Sequence, residues 1–164
     1  MERLWAPWRI EYIEKEKGDE CIFCRIPSED PSRDRDNLLL YRGSKTYIVL
    51  NRYPYNNGHL MIVPYRHIAW LDEMDEGEIL ELFKLTNVSI KTLSQALKPH
   101  GYNLGINLGR VAGAGIEDHF HIHVVPRWIG DTNFMPILAN TKVLVEYLHR
   151  TYDKLRDALK KVLT

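Results

Sequence analysis

The sequence predicts a single α+β domain with an antiparallel sheet of about five strands and two main helices. A chain of 164 residues, 45% of them hydrophobic, is long enough to bury one core. Short runs of β-branched and aliphatic residues alternate with turn residues, and two longer segments repeat apolar residues at helical spacing. The resulting order of elements, β-β-β-α-β-β-α, is typical of the α+β class.

Five segments have strand character. Residues 38–42, 46–50 and 59–63 are separated only by short turns, which predicts an antiparallel meander. Residues 103–108 and 119–125 follow the first helix and enclose a glycine-rich turn. The predicted sheet therefore combines segments from both sides of that helix.

The two helices are predicted from their apolar spacing. Asp75, with Glu78 three positions later, has the pattern of a capping box. Apolar residues then follow at helical spacing until Pro99. The second helix covers residues 141–163 and carries leucines at the same spacing.

The chain is expected to form one domain, residues 1–164. Residues 1–37 form an irregular N-terminal extension that carries a cysteine pair, and residues 38–164 form the core and the C-terminal helix. The 22 basic residues balance the 22 acidic ones, and no apolar run is long enough for a membrane span, so neither nucleic acid nor a membrane is an expected partner. Because the N-terminus has no apolar signal segment, a cytoplasmic protein is expected.

Three of the seven histidines fall within five positions, at His119, His121 and His123. Because strand side chains alternate, the three imidazoles project from one face. A chance cluster is the least favoured interpretation, and a catalytic metal site with an open coordination position is a second. The favoured interpretation uses the ring itself, because a neutral imidazole is nucleophilic near neutral pH and a neighbouring one can donate a proton to a departing group. The strand therefore favours phosphoryl transfer.

The cysteines Cys21 and Cys24 have Cys-x2-Cys spacing. Such a pair supplies two of the four ligands of a structural zinc site, whereas a secreted disulfide framework needs several pairs at wider spacing. His67 and His119 are the candidates for the other two ligands. A free or redox-active pair is the alternative.

A glycine-rich turn, residues 109–115, lies just before the histidine strand. Gly113 and Gly115 would let backbone N–H groups approach a phosphate, and their position next to the histidines favours that role. A tight hairpin also requires glycines, so a purely structural role is the alternative.

Residues 119–125, His-Phe-His-Ile-His-Val-Val, resemble the signature of the histidine triad (HIT) family in every position. The resemblance implies a HIT-like fold and a nucleotidyl-histidine intermediate. It further implies that His121 is the nucleophile and that His123 binds the phosphate and assists the leaving group. Asn51 and His59 resemble a second family segment, in which the asparagine faces the ribose and the histidine supports the site. Alternatively, Asn51 simply ends one strand and His59 begins the next.

The resemblance also implies structural zinc and no redox cofactor. In zinc-containing HIT proteins and the similar galactose-1-phosphate uridylyltransferases, the ligands are a Cys-x2-Cys pair, a histidine in a Pro-x-x-His segment and the first histidine of the active-site strand. The matching residues here are Cys21, Cys24, His67 and His119.

Several separated segments, residues 4–9, 54–61, 112–115 and 126–134, resemble the bacterial diadenosine tetraphosphate phosphorylases within this family. This implies cleavage of diadenosine tetraphosphate (Ap4A) by orthophosphate into ATP and ADP, with Trp128 near the substrate. Large aromatic residues more often belong to a core, so Trp128 could instead pack the C-terminal helix onto the sheet.

Other functions stay open at this point. A HIT hydrolase of dinucleoside polyphosphates or nucleoside phosphoramidates would use water as the acceptor. A nucleotide-binding or scaffold protein would bind without turnover, and a metal-dependent hydrolase would use the histidines as ligands. The family also implies a homodimer, to which the helix that follows Asp75 could contribute.

Overall fold

The computed structural model describes residues 20–113, 115–132 and 144–164. These residues form one antiparallel sheet of five strands, in the order β1-β2-β3-β5-β4, with three α-helices. Among them, no helix is long and apolar enough to cross a membrane. The elements are α1 (Ile22–Ser28), β1 (Leu39–Arg42), β2 (Thr46–Leu50), β3 (Leu60–Pro64), α2 (Glu76–Leu97), β4 (Gly101–Ile106), β5 (Ile122–Arg127) and α3 (Leu148–Leu163).

The predicted α+β architecture is confirmed, and α2 begins where the capping-box pattern placed it. The Asp75 carboxylate accepts a hydrogen bond from the Glu78 N–H at 2.8 Å, and the Glu78 carboxylate accepts one from the Asp75 N–H at 2.9 Å. These two bonds satisfy N–H groups that have no partner inside the helix. The helix ends at Lys98, which adopts a left-handed conformation.

Three predicted boundaries were wrong. The histidine strand, predicted at 119–125, is β5, Ile122–Arg127, because its ladder with β3 reaches only to the pairing of Ile122 with Ile62, so His119 and His121 precede the strand. β4 covers Gly101–Ile106 rather than 103–108, because its hydrogen-bonded register with β5 pairs Gly101 with Arg127 and Ile106 with Ile122. The C-terminal helix begins at Leu148 rather than at 141, since residues 144–147 are not helical. Residues 141–143 lie outside the described part of the chain.

The N-terminal extension contains a short helix, α1, where an irregular segment was expected. Phe23 and Ile26 bury their side chains against the sheet. Pro27 has no N–H, so within the helix it leaves the carbonyl oxygen of Phe23 without its usual partner. The Tyr47 hydroxyl donates to that oxygen at 2.8 Å. The carbonyl that Pro27 leaves without a helical partner therefore accepts a hydrogen bond that fixes α1 to β2.

The sheet separates two sets of buried side chains. α2 and α3 pack on one face, where Ile122 and Val124 enter the main core. The alternate residues of β5 point to the other face, where His123 lies opposite Met61 of β3. α1 packs on this second face through Phe23. We call this side of the sheet the histidine face.

Candidate active site

His121 precedes β5 and has a defined tautomer. Its Nδ1 lies 2.8 Å from the backbone oxygen of His119, which can only accept, so Nδ1 carries the proton. The lone pair of the neutral ring is therefore on Nε2. The side chain is 5% exposed, and burial lowers the pKa of His121 below its usual value of 6.5. The ring is consequently neutral, with a free electron pair on one nitrogen, at neutral pH.

A chain of hydrogen bonds fixes the protons of His59 and His123. The Tyr55 N–H donates to Nδ1 of His59 at 3.1 Å, and the amide nitrogen of Asn51 lies 3.3 Å from the same atom. Nδ1 of His59 is therefore an acceptor, and its Nε2 carries the proton. That Nε2 lies 2.9 Å from Nδ1 of His123. In the neutral state, His123 accordingly accepts at Nδ1 and carries its own proton on Nε2.

The histidine pair thus combines a ring that offers a lone pair on Nε2 with a ring that offers an N–H. The ring centroids of His121 and His123 are 4.7 Å apart, and the rings meet edge to face at 80°. Burial, together with the two neighbouring histidines, lowers the pKa of His59 well below 6.5, so the His59 ring stays neutral. A phosphate group next to both rings would meet a lone pair from one and an N–H from the other.

A cavity of about 210 Å³ lies beside this pair, between α1 and strands β2 and β3. Its walls include the apolar side chains of Phe23, Val49 and Met61, and Asn51 lies at its polar part. Phe23 also contacts the His121 ring, with centroids 5.0 Å apart. The cavity and the histidine pair therefore share a wall.

The predicted metal ligands form one cluster. The ligand atoms of Cys21, Cys24, His67 and His119 all lie within 4.8 Å of one another. The shortest separations are 3.3 Å between Cys21 Sγ and His119 Nδ1, and 3.3 Å between Cys24 Sγ and His67 Nδ1. Tetrahedral zinc with its usual bond lengths places sulfur and nitrogen about 3.6 Å apart. The four side chains therefore fit a tetrahedral metal ion.

The protonation of the cluster also fits a metal. Nε2 of His119 lies 2.9 Å from the carbonyl oxygen of Pro64, which fixes the proton there and directs the Nδ1 lone pair at the cysteines. Burial lowers the pKa of His119 to about 4. Burial, assisted by Cys21, raises the pKa of Cys24 to about 11. Two adjacent thiolates need a cation to be stable, and the neutral His119 ring is ready to bind one.

The remaining predicted residues, Gly113, Gly115 and Trp128, do not line the cavity beside the histidine pair. Gly113 ends a short 3-10 helix, Arg110–Ala112, with a φ of +90°, and Gly115 is exposed in the segment that leads to His119. Trp128 lines a different cavity, of about 430 Å³, together with Leu97 of α2 and Lys154 of α3. His121 and His123 line neither this cavity nor the one between α1 and strands β2 and β3, which meets the His121 ring through Phe23. The predicted segment 4–9 and residues 133 and 134 lie outside the described part of the chain.

Two contacts of the site were not anticipated from the sequence. Phe23 stands between the cysteines in sequence and packs against both His119 and His121. Tyr55 places its ring over His59, with centroids 4.6 Å apart, in addition to its backbone hydrogen bond. The only available signal was their position inside the two motifs, between the cysteines and between Asn51 and His59.

A family model for the HIT domain matches residues 32–128. The chain therefore belongs to the HIT family, as its histidine segment indicated.

Relatives and solved structures are consistent with this membership. A protein of Mycobacterium tuberculosis named AP-4-A phosphorylase is 39% identical over 157 residues, which cover 92% of this chain and 80% of the relative. An adenosine 5'-monophosphoramidase of Candida albicans is 29% identical over 147 residues, or 87% of this chain and 93% of the relative. A Zn-bound histidine triad family protein from Mycobacterium smegmatis has a TM-score of 0.69 at 22% identity, over 87% of this chain and 94% of that one. The relatives named here are enzymes, and the solved structure has the same fold.

Proposed function

We propose that the chain cleaves diadenosine tetraphosphate with orthophosphate, giving ATP and ADP through a covalent adenylyl intermediate on His121. The observation that carries this proposal is the tautomer of His121, whose Nδ1 proton is held by the His119 carbonyl so that Nε2 is the nucleophile. The relative named AP-4-A phosphorylase supports the choice of substrate.

In the first step, the Nε2 lone pair of His121 attacks the α-phosphorus, and the bond to the bridging oxygen on the far side breaks. The Nε2–H of His123 donates a hydrogen bond to that oxygen and stabilises its developing negative charge, so ATP leaves as an anion. The attacking ring becomes positively charged, and its Nδ1–H bond to the His119 carbonyl stabilises that charge. The hydrogen bond from His59 holds His123 in the required tautomer.

In the second step, an orthophosphate oxygen attacks the same phosphorus, and the phosphorus–nitrogen bond breaks. This returns the electron pair to His121 and releases ADP. The proton of orthophosphate stays on the terminal phosphate of ADP or passes to solvent, and His123 keeps its own Nε2 proton throughout. All protons and phosphates are then accounted for, without any redox step.

The cavity beside the histidines fits the nucleoside. Its apolar walls, Phe23, Val49 and Met61, suit the faces of a purine. The amide oxygen of Asn51 accepts one hydrogen bond, from the Tyr53 N–H at 2.9 Å, and its second lone pair can accept from a ribose hydroxyl. We propose that Gly113 and Gly115 contact the phosphates, and that Trp128 contributes to substrate binding from the edge of the site.

We further propose that Cys21, Cys24, His67 and His119 hold a structural zinc ion. The donor set and its spacing support this assignment. Zinc there would tie α1, the 64–67 segment and the start of the histidine strand together. His119 would then serve twice, through Nδ1 to the metal and through its backbone oxygen to His121.

We also propose a homodimer that uses the helix-covered side of the sheet. Leu80 and Phe83 on α2 are exposed, and so are Leu104 and Ile106 on the edge strand β4. Apolar side chains beside a strand edge that no other described strand pairs with favour association with a second copy. Light scattering during size exclusion should give twice the chain mass, and a monomer at micromolar concentration would contradict the proposal.

The whole chain, 1–164, is proposed to act as one domain in the cytoplasm. α1 supports the first part, because its side chains share a buried cluster with β1, β2 and β3. The cytoplasmic location is supported by the two free cysteines, because reducing compartments keep thiols available as metal ligands.

The products of the reaction test the proposed function. Ap4A should give ATP and ADP in equal amounts when orthophosphate is present, and labelled orthophosphate should appear in ADP. ATP with AMP, formed equally well without orthophosphate, would instead establish the hydrolase, which the phosphoramidase relative makes the second candidate. Binding without turnover would favour a scaffold protein and contradict the proposal.

The pH dependence of the first step should reflect the burial of His121. Because burial lowers its pKa, the ring stays neutral and nucleophilic at acidities where an exposed histidine is protonated. We expect the rate of ATP release in a single turnover, without orthophosphate, to be flat from neutral pH down to 6.5 and to fall only below it. A half-maximal rate above 6.5 would contradict this assignment of the nucleophile.

A further inference from the structure

Strand β4 carries a glycine directly opposite His123, the proposed hydrogen-bond donor to the leaving group. In the antiparallel register, Gly105 faces His123, so a side chain at position 105 would stand beside the His123 imidazole on the histidine face. Gly105 is exposed, and among the residues that the structure describes a Cβ built on it would meet nothing within 4 Å beyond its chain neighbours. The strand therefore leaves an open space beside His123, which we call the Gly105 gap.

The fold gives no local reason for glycine at this position. Its φ is not positive, unlike that of Gly58 or Gly109, so an ordinary side chain is compatible with the backbone. Glycine also weakens a strand relative to a β-branched residue. A glycine of this kind is typical of a place where a ligand approaches the backbone closely.

The two ends of the proposed substrate would extend in opposite directions from the histidine pair. The proposed nucleoside cavity lies over β2 and β3, with Val49 and Met61 in its walls. β5, which carries His123, comes next in the sheet, and β4 lies beyond it. With the nucleoside in the cavity and the α-phosphorus at the histidines, the leaving group extends away from the cavity, towards β4.

We infer that the Gly105 gap is the subsite for the polyphosphate leaving group, and that Gly105 determines whether a long leaving group is accepted. The inference rests on the proposed function. The gap lies next to His123, whose Nε2–H donates a hydrogen bond to the departing oxygen, so the first phosphates of the leaving group pass over position 105. A β-branched side chain there would occupy their path, while the nucleoside cavity would be unaffected.

Gly105→Val tests the inference, with Gly101→Val as its matched control. Gly101 is on the same strand and face, its Cβ position is equally open, and it lies four residues away, about 13 Å along the strand. Gly105→Val should lower kcat/KM for Ap4A with orthophosphate by about tenfold or more, because small displacements of the reacting groups are costly. The Kd for AMP, which has no leaving group, should stay within about twofold by calorimetry, since AMP fills only the cavity and the α-phosphate position.

The outcomes separate this inference from the proposed function. Gly101→Val should match the unaltered protein in both measurements, and thermal unfolding should show that both variants are folded. Unchanged cleavage of Ap4A by Gly105→Val would overturn the inference, and so would an equal loss of AMP binding, which would place position 105 against the nucleoside. Failure of the unaltered protein to cleave Ap4A would contradict the proposed function itself.

Discussion

Replacing His121 with alanine should lower kcat for Ap4A cleavage by about 10⁴-fold or more, because no other group that the structure describes on the histidine face is aligned to form the proposed covalent intermediate. His123 is an acceptor at Nδ1 and a hydrogen-bond donor at Nε2, and His119 directs its lone pair at the cysteines. Neither ring can take over the attack without losing its own hydrogen bonds. Quenched-flow measurement of ATP release gives the rate directly.

The control for this variant is His149→Ala. His149 is an exposed histidine on α3, and its removal should leave kcat within about twofold, as expected for a surface substitution. His121→Ala also leaves space in a buried site, so its thermal unfolding and AMP affinity must be compared with those of the unaltered protein. A folded variant that binds AMP and keeps full activity would contradict the role given to His121.

The second large effect should come from removing a metal ligand. Cys24→Ser takes away a sulfur that lies 3.3 Å from Nδ1 of His67 and 3.6 Å from Nδ1 of His119, and a serine hydroxyl is a poor substitute for thiolate. Loss of the metal would release α1 from the sheet and free the His119 ring. We expect a loss of about 3 kcal/mol, equivalent to about 6–12 °C in Tm for a chain of this size, together with reduced kcat.

Cys21→Ser should give the same result, because it removes a different ligand of the same ion. Ser28→Ala, on the same helix, is the matched control, since its hydroxyl only donates to the Arg25 carbonyl at 2.7 Å. The test measures the zinc content of each purified protein and the recovery of its Tm when zinc is added. Unchanged zinc content and Tm in both cysteine variants would contradict the metal assignment.

Local sequence patterns predicted the parts of the site that depend on short spacing. His121 and His123 share a face because a strand alternates its side chains. Asn51 and His59 were grouped by a motif, and the structure joins them at 3.3 Å. Residue chemistry suggested the two histidines that join the cysteine pair, but Cys24 and His67 are 43 positions apart and Cys21 and His119 are 98 apart, so only the fold could bring them together.

Other features depend on contacts between distant segments. The nucleoside cavity needs α1 folded over β2 and β3, and nothing in the sequence near Phe23 or Met61 distinguishes a cavity wall from ordinary core. The start of α3 was placed too early, because apolar spacing continues through Leu144 although the helix begins at Leu148. The importance of Gly105 follows from its register with His123, which is a property of the paired strands.

The covalent intermediate is the most direct test of the central claim. The protein is mixed with Ap4A without orthophosphate, quenched under alkaline conditions that preserve phosphorus–nitrogen bonds, digested, and analysed by mass spectrometry. The account predicts one adenylyl group on the peptide that contains His121, formed together with ATP and lost as ADP when orthophosphate is added. Release of ATP with no adduct, or an adduct on any other residue, would contradict it.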